Sequence, residues 1–192
     1  MSPLKPATLC HGFITGLFVC AAALCAGQTA QAQMAQHTMH AHGNHNEMTM
    51  PGLRGLNATP EESAEMAVMF RHFQTLAREV TNLPDGIRTV TTSSDPDVAE
   101  ALVSHVIGMI DRVETGDDPK VFIQSPTLDI FFLRGKEITT QIDVIDGGVV
   151  VIQTSDNPDL VAALHTHAAE VTDMAARGMQ AVHEKMMKAM GN

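Results

Sequence analysis

From Met66 onward the large apolar side chains recur at helical spacing: Met66, Met69, Phe70, Phe73, Leu76, Val80 and Leu83. Adding 62 to each gives Leu128, Phe131, Phe132, Gly135, Ile138, Ile142 and Ile145, and six of these seven are again large and apolar. The register continues without a gap through Gly86/Gly148, Ser93/Ser155, Pro96/Pro158, Asp97/Asp159, Leu102/Leu164, His105/His167, Asp111/Asp173 and Gly116/Gly178. Between 66–116 and 128–178 there are 11 identities in 51 pairs. That count is modest, but gapless matching of apolar spacing points to an internal duplication.

The duplication bears on an ambiguity. Taken alone, "KEITTQIDVIDGGVVVIQTS" reads as a β-hairpin, because it alternates, is β-branched and carries a glycine turn. Its counterpart "QTLAREVTNLPDGIRTVTTS" reads as helix, turn and strand. The apolar steps over 128–145 (3, 1, 3, 3, 4 and 3) also fit a helical stripe, which favours helix in both copies. Each unit is then helix, glycine turn, short strand, Asx-Pro cap and helix. Asp95-Pro96 and Asn157-Pro158 supply an N-cap and a first-turn proline at the same place in each. A lone ribbon is marginal, so the strands at 87–93 and 149–155 are expected to pair. The predicted fold is α+β and mostly helical: a tandem duplicated α-β-α unit with pseudo-two-fold symmetry, four helices around a two-stranded sheet. Thr59-Pro60-Glu61-Glu62 is a strong helix start, so one domain is expected over 59–192, with repeats at about 64–118 and 126–190.

The paired blocks "GIRTVTTSSDPDVAEALVSH" and "GVVVIQTSDNPDLVAALHTH", the second running on to "GMQAVHE", resemble a family of uncharacterised bacterial exported proteins with a duplicated "Ser-Asp-Asp-Pro…His" unit. The resemblance covers roughly residues 64–187, and Asn157 departs from the aspartate usual before that proline. It implies no activity. It implies only that His105, His167 and His183 stand where relatives also carry histidine.

Composition changes the picture at the N-terminus. Lys5 is the only charged residue before Gln33, Phe13 to Ala26 is an apolar run, and Ala30-Gln31-Ala32 is a small-x-small cleavage pattern. Residues 1–32 therefore read as a signal peptide, leaving no stable membrane anchor and predicting a periplasmic or secreted protein. Cys10, Cys20 and Cys25 all fall in that segment, so the remaining chain has no disulfide, thiolate ligand or cysteine nucleophile. Removing Lys5 leaves 11 basic against 22 acidic residues, a charge of −11 that disfavours nucleic acid. Residues 33–58 are polar and aperiodic, and read as a disordered His/Met-rich tail.

That tail holds His37, Met39, His40, His42, His45, Met48 and Met50. Imidazoles capture Cu(II) and thioethers Cu(I); the alternative is a linker solvated by its histidines. In the core, His105 follows Val98 and Leu102 on an apolar stripe, with Met109 at i+4, and His167 follows Leu160 and Leu164, with Met174 at i+7. Two inward imidazoles related by a two-fold axis suit bis-imidazole metal or haem ligation. The competing role is that of buried histidines hydrogen-bonded to backbone carbonyls. His165, two residues from His167, leaves the helix on another face and is expected to be exposed. Met179, His183, Met187 and Met190 form a soft-donor face or a packing stripe. Glu170, one turn from His167, suits an orienting partner.

No nucleophile elbow, phosphate loop or acidic dyad is present, so no enzyme is expected. The favoured function is a periplasmic, non-enzymatic metal-binding protein that handles copper. Its candidate partners are the metal ion and another periplasmic protein. The alternatives are a haem- or small-ligand-binding sensory or electron-transfer module built on His105/His167, and a structural partner-binding domain.

Overall fold

A computed structural model describes residues 50–189. The expected signal at 1–32, and His37, Met39, His40, His42, His45, Met48 and Met190, lie outside the described residues. The fold is α+β and 58% helical over the described residues. Helix α1 (Pro60–Arg71) leads into a hairpin of β1 (Leu76–Leu83) and β2 (Gly86–Ser93), and the long α2 (Pro96–Thr115) follows. The short α3 (Asp129–Arg134) precedes a second hairpin, β3 (Thr139–Ile145) and β4 (Gly148–Thr154), and then the long α4 (Pro158–Arg177) and α5 (Met179–Ala189). The strands form one antiparallel sheet in the order β1-β2-β4-β3.

The expected pairing of the 87–93 and 149–155 segments is present as β2 against β4, from Gly86↔Thr154 to Thr92↔Gly148. The rest of the predicted sheet is corrected. Among the described residues there are four strands rather than two and five α-helices rather than four, and each hairpin segment is β-β where α-β was expected. Helix α1 ends at Arg71, and the positions assigned to its continuation, Leu76, Val80 and Leu83, lie on β1. Leu76 and Val80 satisfy both periods, since they are four apart. Pairing along all of β2 gives the backbone groups of β1 that face it ladder partners, which one more helical turn would not place against the sheet. Two-residue turns, Pro84-Asp85 and Asp146-Gly147, close the hairpins, with Gly147 at φ +69°.

The chain is ordered ahead of Thr59, where only a tail was expected. Leu53 is 1% exposed, in a 3-10 turn at Pro51–Leu53, and Gly55 bridges to Val121. A buried apolar side chain and a backbone bridge hold a segment whose composition is otherwise that of a linker. Thr59 caps α1 with the expected capping box to Glu62.

The long helices pack on the sheet face bearing Ile87, Val149 and Val151. Helix α4 lies over β1 and β2, and α2 over β4 and β2. Two apolar clusters result. Ile87 packs with Leu160, Leu164, Ala168, Phe131 and Ile138, and Leu102 packs with Val149 and Val151. The opposite face carries exposed Glu79, Arg88 and Asp143 around half-buried Val90, Val150 and Ile152. No described helix is long and apolar enough to cross a membrane.

Candidate functional site

Helices α2 and α4 begin in the same way. The Asp95 carboxylate accepts from the Asp97 amide at 3.0 Å, and the Asn157 amide oxygen accepts from the Asp159 amide at 3.0 Å. Just before them, the hydroxyls of Ser93 and Ser155 accept from the amides of Asp95 (3.1 Å) and Asn157 (3.2 Å). Caps and prolines fix where each helix starts, and hence which side chains face the sheet. His105 and His167 each stand ten residues past their cap, one turn beyond the buried Leu102 and Leu164. The inward direction read from the apolar stripe is the one observed.

The His105 side chain is 20% exposed. Its Nδ1 is buried and lacks a hydrogen-bond partner, with Glu65 Oε2 at 3.9 Å, beyond hydrogen-bonding distance. Burial pushes its pKa down to about 4, against the opposing pull of Glu62. His167 meets the edge of Phe131, with ring centroids 5.7 Å apart at 79°. Its Nδ1 is likewise buried without a partner. Burial, then the charges of Arg78, Lys185 and His105, hold its pKa at about 4, against Glu170. Both imidazoles are therefore neutral at pH 7, and a proton on His105 makes one on His167 costlier.

The histidine that hydrogen-bonds backbone carbonyls is a different one. His165 Nε2 reaches Gly86 O at 2.8 Å and Leu83 O at 3.1 Å, tying α4 to the β1–β2 turn. It is half-buried rather than exposed, because that turn rises beside the helix. A sequence signal existed: its counterpart in the first copy is Val103, which packs on the core.

Met109 and Met174 are half-buried on α2 and α4, and Met50 is half-buried at the start of the described chain. His183 is exposed on α5, whose buried residues are Ala181 and Val182, and Met187 is 46% exposed. The C-terminal Met/His face is thus not the packing face of α5. Among the described residues, no three His, Cys, Asp or Glu side chains converge as a metal-binding group. Glu170 does not orient His167. Its Oε1 accepts from Ser125 and Thr127 at 3.1 Å each and pairs with Lys185, while its Oε2 is buried without a partner.

Arg78 was not singled out from the sequence. It faces inward on edge strand β1, donates from Nη1 to Thr91 Oγ1 at 2.5 Å, and has a buried Nε with no partner. Burial pulls its pKa down to about 10. Its position, between Leu76 and Val80 at period 2, becomes a signal only when the segment is read as a strand. The other overlooked group is Arg112, whose guanidinium binds Glu62 through Nε (2.5 Å) and Nη2 (3.0 Å), Asp117 Oδ2 (2.7 Å) and Asn57 O (3.0 Å). It fastens the start of α1 to the end of α2.

No protein-family model, curated protein or solved structure matches the chain.

Proposed function

We propose that this is an exported, non-enzymatic, metal-binding protein of the periplasm that handles copper, with His105 and His167 as the buried ligand pair. One observation carries the reading: the two imidazoles occupy matched positions on α2 and α4, both neutral at pH 7, each with a buried Nδ1 that no group among the described residues satisfies. Orphaned polar atoms are rare in folded interiors, and a neutral imidazole is the protonation state a metal requires. The donor set favours Cu(I) over Zn(II). A structural zinc wants four ligands, and no group of three His, Cys, Asp or Glu meets among the described residues. Monovalent copper accepts few donors and tolerates thioether, which Met109 and Met174 supply on the same helices. His37, Met39, His40, His42, His45, Met48 and Met50 would recruit the ion, and His183 would add an accessible imidazole.

We also propose that the domain is a duplicated unit with pseudo-two-fold symmetry. Thr89 stands opposite Val151, its counterpart 62 residues on, so the β2–β4 register maps onto itself when the copies exchange. The turn contacts follow suit: Ser93 N donates to Gly147 O and Ser155 N to Asp85 O, both at 2.9 Å.

The test is copper content and Cu(I) affinity of the protein from copper-supplemented cells, alongside the His105→Ala/His167→Ala variant. One tightly held copper, lost in the variant while circular dichroism stays native, is the expected result. Equal copper in both would sink the assignment to this pair, and a Soret band in the visible spectrum would assign the pair to haem instead.

A further inference from the structure

Arg78 is a charge that the fold does not explain. Arg112, Arg134 and Arg177 each pair with a carboxylate. Arg78 has no carboxylate partner among the described residues, only the Thr91 hydroxyl. A half-buried guanidinium left without a counter-charge is costly, because the interior repays little of the hydration it loses. The second hairpin supplies an internal control. Arg78 lies opposite Thr91 in the β1–β2 register, and the matching places in β3–β4 are Thr140 and Gln153. There the Gln153 side-chain amide donates to Thr140 Oγ1 at 3.5 Å, and no charge is involved. A hairpin of this register is thus built without an arginine, and Arg78 answers to something other than architecture.

We infer that Arg78 and Thr91 form a binding site for a small oxyanion, a carboxylate or an inorganic phosphate, at the β1 edge of the sheet beneath α4. The donors are in place. Nη1 is engaged by Thr91 and Nε is closed to solvent, which leaves Nη2 as the outward donor, while Thr91 Oγ1 accepts from Arg78 and keeps its own proton. A guanidinium edge offers parallel N–H bonds to two oxygens of one anion, the strongest geometry available to a planar cation. Access follows from position: among the described residues β1 is the outer strand of the sheet, and the Arg78 side chain is only half-buried. Thr91, 5% exposed, forms the floor. The inference stands on Arg78 and does not require the metal, so it is tested on metal-free protein and can fail independently of the copper assignment.

The experiment titrates chelator-treated protein, labelled with 15N-arginine, with sodium phosphate and separately with sodium acetate, at ionic strength held constant with chloride. The readout is the Arg78 Nε–H resonance, identified by its loss in Arg78→Gln. The expected result is a saturable shift with at least one of the two anions. Calorimetry with that anion should show affinity falling about tenfold or more in Arg78→Gln, the loss of a charge-assisted pair. Saturation by acetate alone would identify a planar carboxylate site, and by phosphate alone a tetrahedral one. No saturable shift with either anion, or equal affinity in a folded Arg78→Gln protein, overturns the inference. If Arg78→Gln does not fold, Arg78→Lys, which keeps the charge but lacks the Nε–H, identifies the resonance and the wild-type titration decides.

Discussion

Two buried neutral imidazoles make the domain acid-sensitive in a definable window. A histidine in the unfolded chain takes its proton near pH 6.5, whereas His105 and His167 resist it until about 4. Between those values the unfolded state binds more protons than the folded one, so stability falls as pH falls. The contribution is fully present above about pH 6.5 and is lost on the way down to 4. Linkage gives a loss of about 1.2 kcal/mol per histidine from pH 7 to 5.5, hence about 2.5 kcal/mol for the pair, and about 3 kcal/mol each by pH 4. That approaches the whole stability of an ordinary domain, roughly 5–15 kcal/mol. Carboxylates do not confuse the upper window. Burial pushes Glu62 and Glu170 up, but Arg112 and Lys185 outweigh it and leave both below the usual carboxylate range, so they lose stability only at lower pH. The assay is urea unfolding by far-ultraviolet circular dichroism at pH 7 and 5.5, because the chain has no tryptophan or tyrosine to report by fluorescence. Wild type should lose about 2.5 kcal/mol over that step, and His105→Gln/His167→Gln should lose far less. Parallel pH dependence in the two proteins would refute the reasoning, as would imidazole NMR titrations of either residue near pH 6.5.

Packing and backbone give two further expectations. Leu164 is 0% exposed in the cluster with Ile87 and Phe131, so Leu164→Ala should cost about 3 kcal/mol in urea unfolding, and a loss under 1 would mean the site collapses freely. At Gly148 a Cβ would stand 2.1 Å from the Thr91 carbonyl oxygen, so Gly148→Ala must break the β2–β4 register and should cost about 3 kcal/mol or more. At Gly108, on α2, a Cβ meets nothing within 4 Å, so Gly108→Ala should stabilise by about 0.5–1 kcal/mol. Similar melting temperatures for these two variants would contradict the close strand approach.

The local start signals were legible because they are short-range chemistry. Thr59, Asp95 and Asn157 cap the helices they precede, and the cap fixes the inward direction of His105 and His167. Strands β1 and β3 were not legible, because Leu76 and Val80 fit a stripe of either period and only pairing across the sheet decides between them. Both segments adopt the β-hairpin that "KEITTQIDVIDGGVVVIQTS" suggests alone, so the helical appearance of its counterpart is the misleading guide. Had the hairpin turn at Asp146-Gly147 ruled instead, Arg78 would have stood out as a charge at an inward position. Leu53 was missed for a similar reason: its segment is held by the Gly55–Val121 bridge, a long-range pairing that no local window contains.

The sharing of cores between halves also bears on the order in which the protein can be made. Leu102 of α2 packs against Val149 and Val151, and Ile87 of β2 against Leu160 and Leu164, so each cluster is completed only when both halves are present. A nascent chain that has emerged only through α2 can close Leu102 against Met69 and Leu76, but completes neither cluster until β4 and α4 follow.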